Sequence, residues 1–239
     1  MNRLLLYVHY NKYNHISRHV YYQIEQLRKL FKKVVFISNS KLSESEVSKL
    51  YEKNLIDNFI QRENKGYDFA AWHDGMEFIG FNDVQDYDSV TVMNDTCFGP
   101  LWDMEPLYEK YESNNQVDFW GMTNHRGIQA GNFYINEHLQ SYFISFKKSI
   151  TQSEVFQTFW KSVQSYEEVQ KVIDNYETQY TKLFVDAGFK YDSVLNTLPL
   201  NDKFFHSNFT IHYPHVLLDG GVPFIKIKTF DLSQHLSPY

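Results

Sequence analysis

The stretch Asp88-Ser-Val-Thr-Val-Met-Asn-Asp-Thr96 combines an apolar strand pattern with a polar end. Valine alternates with threonine and methionine between residues 90 and 93, which is the period of a strand covered on both faces. The pattern stops at three small polar residues: Asn94, Asp95 and Thr96. Open α/β sheets bind ligands at the carboxyl ends of their strands. The stretch therefore predicts a central strand that delivers Asp95 into a ligand site.

The residues upstream alternate between strand and helix patterns, which is typical of βαβ units with parallel strands. Apolar runs at 4–8, 33–37 and 56–61 predict strands, and amphipathic stretches after Ser17 and Ser43 predict helices. Polar residues that follow the first two strands predict one side of a nucleotide site: His9, Tyr10, Ser38 and Asn39.

A loop between the third predicted strand and the next helix adds further candidates to this site, namely Asn64, Gly66 and Asp68. Gly66 allows a positive φ or a close approach of the backbone to a ligand. The chain contains neither Gly-x-Gly-x-x-Gly nor Gly-Lys-Ser/Thr. These absences argue against a Rossmann dinucleotide site and against a P-loop.

Length and composition narrow the class of protein. The 239 residues are 43% hydrophobic, which suits one domain over residues 1–239. A formal charge of -6 argues against a nucleic-acid binder. The single cysteine, Cys97, excludes an internal disulfide and a cysteine-based zinc site. With no apolar run near 18 residues, we expect a soluble, cytoplasmic protein.

The half after residue 100 predicts an acceptor site. Residues 138–146 predict one strand with polar atoms on both faces, as at a cleft wall. Residues 169–187 predict one amphipathic helix, with Glu177 at the edge of its apolar stripe. That spacing alone favours a glutamate in water over a catalytic one. Near the C-terminus, His215 could meet a phosphate or a metal, although a solvated histidine is the default interpretation.

Six short motifs follow one another along the chain. They are Arg62-x-Asn64-x-Gly66-Tyr67-Asp68-Phe69-Ala70, Met93-Asn94-Asp95-Thr96-x-Phe98-Gly99-Pro100-Leu101, Asp118-Phe119-Trp120-Gly121, His138-Leu139-Gln140-Ser141-Tyr142-Phe143, Phe159-Trp160 and Tyr176-Glu177-x-x-Tyr180-Thr181. This ordered set resembles the rhamnan synthesis protein F family. The resemblance implies a Rossmann-type fold of the GT-A kind with a central, mostly parallel mixed sheet. Residues 1–100 would form the nucleotide-sugar half and residues 101–239 the acceptor half.

The resemblance also implies an inverting glycosyltransferase that moves L-rhamnose from dTDP-L-rhamnose onto a bacterial cell-surface polysaccharide or its lipid-linked precursor. Glu177 would be the general base, and Asp95 would hold either Mg²⁺ or Mn²⁺ or the ribose of the donor. Only one acid stands where these enzymes carry Asp-x-Asp, which puts strict metal dependence in doubt. The expected acceptor contacts are Trp120, Gln140, Ser141, Tyr142 and His215. A lipid-linked acceptor would bring the protein to the inner face of the membrane.

Two other functions remain open from the sequence. A glycoside hydrolase could use Asp95 and Glu177 as its pair of carboxylates. A non-catalytic sugar-binding module could keep the same fold without turnover. Ligand preference separates these functions, because a transferase binds a nucleoside diphosphate and the others bind glycans alone.

Overall fold

A computed structural model shows an α/β architecture around one eight-stranded sheet and describes residues 1–130, 133–204, 206 and 208–231. The strands in these residues are β1 (Arg3–His9), β2 (Lys33–Ser38), β3 (Asn58–Gln61), β4 (Ser89–Asn94), β5 (Cys97–Phe98), β6 (Phe119–His125), β7 (Ile128–Ala130), β8 (Phe133–Ile135), β9 (His138–Leu139), β10 (Phe143–Lys147), β11 (Tyr191–Leu195) and β12 (Ile225–Lys226).

The α-helices of the same residues surround this sheet. They are α1 (Arg18–Arg28), α2 (Glu44–Glu52), α3 (Tyr67–Ile79), α4 (Glu105–Glu112), α5 (Lys148–Thr151), α6 (Glu154–Ser162), α7 (Val169–Val172), α8 (Tyr180–Asp186), α9 (Phe209–His212) and α10 (Pro214–Asp219). Within the described part of the chain, no helix has both the length and the apolar character needed to cross a bilayer.

The strand order of the large sheet is β11-β6-β10-β4-β1-β2-β3, with β9 paired to β6. Strands β1 to β4 run parallel, and β6 runs parallel to β11. Strand β10 is antiparallel to both of its neighbours, β4 and β6. This topology confirms the predicted α/β fold with a central, mixed and mostly parallel sheet.

Both faces of the sheet are buried, which explains why β1 is a continuous apolar run. Its residues alternate between two hydrophobic clusters, with Leu5 and Tyr7 facing α1, and Leu4 and Leu6 facing α3. Every residue of β1 is buried. Full burial of one leucine stabilises a fold by roughly 1.5–3 kcal/mol, so this strand anchors both layers.

The prediction of one strand over residues 138–146 is wrong. Strands β9 and β10 are separate, and the chain turns between them at residues 141–142. The backbone N–H of Ser141 donates to the side chain of Glu177 and not to a neighbouring strand. Ser141 therefore lies in a turn that contacts Glu177, and the alternation of polar and apolar residues around it does not mark one strand.

The prediction of one continuous α-helix over residues 169–187 is also wrong. Helix α7 is followed by a π-helical turn, Ile173–Glu177, before α8 begins. The backbone N–H of Thr178 donates to the carbonyl of Ile173, five residues earlier, at 3.1 Å. The side-chain amide of Gln179 donates to the carbonyl of Asp174 at 3.1 Å. This hydrogen bond replaces the one that an α-helix would make to that carbonyl. Such π turns occur frequently at functional sites.

Candidate active site

A cavity of about 560 Å³ lies at the carboxyl edge of the parallel strands, where an open α/β sheet binds ligands. The ends of β1 and β2 contribute Tyr10 and Asn39, and the segment that opens α3 contributes Asn64 and Asp68. The end of β4 contributes three further residues, namely Asn94, Asp95 and Thr96. Ser141 and Glu177 line the same cavity from the half that follows residue 100.

Asp95 is a half-buried carboxyl group held by the backbone that directly follows β1. Its Oδ2 accepts a hydrogen bond from the N–H of Tyr10 at 3.0 Å. Burial raises the pKa of Asp95 to about 7, and the nearby charge of Asp68 adds to this effect. Asp95 therefore exchanges its proton near neutral pH in the unliganded protein.

Asp68 and Asn94 form the centre of a hydrogen-bonded chain beside Asp95. The side-chain amide of Asn94 donates to Asp68 Oδ2 at 2.8 Å. The hydroxyl of Thr96 donates to Asn94 Oδ1 at 2.5 Å and accepts from Lys226 Nζ at 3.0 Å. Burial raises the pKa of Asp68, and the hydrogen bond from Asn94 opposes that shift. These hydrogen bonds hold four polar side chains in fixed orientations beside the end of β4: Asp68, Asn94, Thr96 and Lys226.

Glu177 is fixed by the turn that precedes β10. Its Oε1 accepts hydrogen bonds from Ser141 Oγ at 2.7 Å and from Ser141 N at 3.3 Å. Among the described residues, its other oxygen has no hydrogen-bond partner. A carboxylate anchored through one oxygen is suited to accept a proton at the second.

Gly66 supports the cavity from outside its lining. It precedes α3 with φ +70°, and its N–H donates to the carbonyl of Tyr166 at 2.8 Å. A Cβ at this position would stand 2.4 Å from Ala70 Cβ and 2.7 Å from Ser165 Cα. Only glycine fits this junction, which fixes the start of the helix that carries Asp68.

His9 and Ser38 lie beneath the cavity. Both side chains are buried, and His9 Nδ1 lies 3.0 Å from Ser38 Oγ. Burial lowers the pKa of His9 to about 4, so its ring is neutral at pH 7. These two residues shape the ends of β1 and β2, and neither lines the cavity.

Four of the five residues expected to contact an acceptor lie away from the cavity lining. Trp120 is fully buried and stacks on Tyr111 at 4.5 Å between ring centroids. The buried Tyr142 places its hydroxyl 3.0 Å from Thr123 Oγ1, and Gln140 bonds the same threonine at 2.8 Å. His215 is exposed on α10. Of this group, Ser141 alone lines the cavity.

Sequence reasoning missed the basic residues of the cavity, which are His19, Lys226 and Lys228. Lys226 lies on β12, which pairs antiparallel with β5 directly after Thr96. Lysines alternate with isoleucines from residue 225 to 228, and this alternation is the sequence feature that could have indicated the strand. Its length of four residues is too short to separate a strand from a loop by pattern alone.

The acidic side chains of the cavity do not form a ready-made metal centre. Among the described residues, the group of three candidate ligands whose ligating atoms lie within 4.8 Å of one another is His73, Asp74 and Glu77 on α3. None of these three lines the cavity, and Asp74 already pairs with Arg62 at 2.6 Å. A cation at the cavity would therefore depend on Asp95, together with ligand oxygens.

Comparisons with curated proteins find partial matches. The chain is 30% identical over 176 residues to an uncharacterised protein, y4gN, of Sinorhizobium fredii, covering 73% of this chain and 44% of that protein. It is 26% identical over 165 residues to the virulence protein VirA of Vibrio anguillarum, covering 67% of this chain and 50% of that protein. The chain thus spans about half the length of these relatives.

Solved structures resemble the chain at low sequence identity. A nucleoside-diphosphate-sugar pyrophosphorylase from Vibrio cholerae matches with a TM-score of 0.48 at 11% identity, covering 80% of this chain and 90% of that one. Core-mannan synthase A from Aspergillus fumigatus, in an Mn/GDP form, matches with a TM-score of 0.40 at 8% identity, covering 67% and 63% respectively.

A family model for rhamnan synthesis protein F matches residues 34–239. The matched region begins in β2 and contains Asn64, Asp95 and Glu177. It therefore includes the end of β4, the π-helical turn and the lysine-bearing strand β12. The chain belongs to the rhamnan synthesis protein F family.

Proposed function

We propose that the chain is an inverting glycosyltransferase of the GT-A kind, which moves a sugar from a nucleotide-activated donor onto a glycan during bacterial polysaccharide synthesis. One observation carries the proposal: polar groups from β1, β2 and β4 share a cavity with a carboxylate from the other half of the chain. Membership of the rhamnan synthesis protein F family supports a role in polysaccharide synthesis. The donor is dTDP-L-rhamnose.

The donor side of the cavity matches the needs of a nucleoside diphosphate. Asn39, Asn64 and Asp95 offer amide and carboxyl groups to the base and ribose. Lys226 and Lys228 offer positive charge to the diphosphate. A sugar nucleotide already carries a good leaving group, so the protein has to bind the diphosphate and stabilise its developing charge.

Glu177 is the general base in this proposal. Ser141 holds one carboxylate oxygen through its N–H and its hydroxyl, and the other oxygen takes the proton of the acceptor hydroxyl. The acceptor oxygen then attacks the sugar in a single displacement, which inverts the anomeric centre. Asp68 is the less suitable base, because it opens helix α3 in the half that binds the donor, where a base would not meet the acceptor hydroxyl.

The acceptor is a growing cell-surface polysaccharide or its lipid-linked precursor. It enters beside Ser141 and Glu177, where the half after residue 100 meets the cavity. Synthesis on a lipid-linked precursor would take place in the cytoplasm, at the inner face of the membrane.

Thermal unfolding with a ligand panel tests the proposal. A nucleoside diphosphate at 100 times its Kd should add about 2.7 kcal/mol to the free energy of unfolding. For a chain of this size, that gain raises Tm by roughly 5–10 °C. dTDP, UDP and GDP are compared with inorganic phosphate and with free oligosaccharides. Stabilisation by oligosaccharides and by none of the nucleotides would refute the transferase and favour a hydrolase or a sugar-binding module.

A further inference from the structure

Strand β12 carries Lys226 into the donor side of the cavity. It pairs antiparallel with β5, so that Lys226 lies opposite Cys97. The N–H of Ile227 also donates to the carbonyl of Thr96 at 2.9 Å. These backbone bonds fix the lysine next to the end of β4, although 130 residues separate Lys226 from Thr96 in the sequence.

The ammonium group of Lys226 is held in one orientation and keeps N–H donors for a ligand. It donates to Thr96 Oγ1 at 3.0 Å and lies 4.9 Å from the centroid of the Tyr142 ring. An ammonium group has three N–H donors, so two remain for a ligand. Within the described residues, Lys226 forms no salt bridge, although it lines a cavity that also contains Asp68 and Asp95.

The acids around this ammonium group do not form a ready-made site for a divalent ion, since neither belongs to the group of three candidate ligands found among the described residues. Asp95 is the acid at the end of β4, and its Oδ2 already accepts from Tyr10. Asp68 Oδ2 accepts from Asn94. Lys226 lines the same cavity as these acids, so its positive charge opposes the binding of a second cation there. The N–H donors that Lys226 keeps suit an anion with several acceptor oxygens.

We propose that Lys226 supplies the positive charge that stabilises the leaving diphosphate, so that transfer proceeds without a divalent ion; this inference rests on the proposed function. As the acceptor oxygen forms its bond to the anomeric carbon, the bond from that carbon to the diphosphate oxygen breaks. The electron pair of the broken bond stays on the diphosphate, where the ammonium group of Lys226 meets the added charge. The acceptor proton passes to Glu177, and Lys226 keeps its own proton throughout.

Calorimetric titration in EDTA tests the inference independently of turnover. The unchanged protein should bind dTDP, UDP or GDP in EDTA, and added Mg²⁺ or Mn²⁺ should change the tightest affinity less than threefold. Lys226→Met keeps the alkyl stem and removes the charge. It should weaken diphosphate binding by about ten- to a hundredfold, while affinity for the matching nucleoside stays unchanged. Lys226→Arg should retain most of the diphosphate affinity.

Lys49→Met is the matched control, because it removes an exposed lysine from α2 and should leave both affinities unchanged. The inference is overturned if the diphosphate binds only with the metal ion present and binds Lys226→Met as tightly as the unchanged protein. That result would leave the proposed transferase activity standing. Absence of nucleotide binding with and without metal would instead refute the transferase itself. If Lys226→Met fails to fold, Lys226→Gln decides, because it also removes the charge: weakened diphosphate binding in EDTA supports the inference, and unchanged binding overturns it.

Discussion

Replacement of Glu177 by glutamine tests the chemistry of the cavity most directly. The substitution keeps the side-chain length and retains a carbonyl oxygen that can accept from Ser141 Oγ and Ser141 N, now at 2.7 and 3.3 Å. No hydrogen bond of the fold is lost, so the free energy of unfolding should change by less than about 0.5 kcal/mol. The substitution removes the carboxylate oxygen that would accept the proton of the acceptor hydroxyl.

The expected loss follows from the contribution of a positioned base. Such a group accelerates a reaction by roughly 10²–10⁴-fold, which corresponds to about 2.7–5.4 kcal/mol of activation free energy. Single-turnover transfer should slow by that factor in Glu177→Gln. Donor affinity, measured by titration on the same preparation, should remain unchanged because the group acts chiefly in the transition state.

Asp174→Asn is the control for charge on the same π-helical turn. Asp174 Oδ1 accepts from Gln170 at 2.8 Å, and Asp174 does not line the cavity. We therefore expect normal turnover in this variant. Asp68→Asn is the competing base variant. Near-normal turnover in Glu177→Gln, together with a collapse in Asp68→Asn, would show that Asp68 is the base and that the assignment of Glu177 is wrong.

Asp95 and Gly66 carry the remaining predictions. Asp95→Asn keeps an acceptor for the N–H of Tyr10 and should weaken donor binding at least about tenfold in titrations; unchanged affinity would make Asp95 a structural residue. Because burial raises the pKa of Asp95 from 3.8 to about 7, the folded chain holds this proton more tightly than the unfolded chain does. The associated stability is present below about pH 4 and is lost towards about pH 7, so urea unfolding should show Asp95→Asn gaining roughly 2–4 kcal/mol relative to the unchanged chain over that range. A difference that does not vary with pH would contradict the raised pKa. Gly66→Ala should cost roughly 2–4 kcal/mol in thermal unfolding, since it combines positive φ with a clash. Gly188→Ala, at φ +96° with no atom within 4 Å of the added Cβ, should cost only about 1–2 kcal/mol, and equal losses would refute the clash.

The fold of residues 1–100 could be predicted because the patterns that specify it are local in the sequence. The continuous apolar runs of β1 and β2 and the polar residues that follow them are visible in windows of ten residues. Because the carboxyl ends of parallel strands share one edge of a sheet, Asn64 and Asp95 could be assigned to the same site from the sequence alone. Asn64 and Asp95 line the same cavity in the structure.

The structure after residue 100 was harder to predict because its geometry depends on contacts between distant segments. The π-helical turn is stabilised by the side chains of Thr178 and Gln179, which a hydrophobic period of 3.6 does not register. Trp120 was expected to contact the acceptor, yet it lies in the core against Tyr111 and Tyr108. Lys226 reaches the cavity only through the pairing of β12 with β5.

The reversed direction of β10 has a mechanical consequence. A strand that runs against its neighbours presents its first residues at the edge where they present their last, and this brings the turn at Ser141 to the cavity. The same strand is hydrogen-bonded on one side to β4 and on the other to β6, so one continuous ladder joins the residues before position 100 to those after it. Rotation of one of these parts against the other would break hydrogen bonds of that ladder. We therefore expect any opening of the cavity to occur in the loops around it, while the sheet beneath keeps its shape.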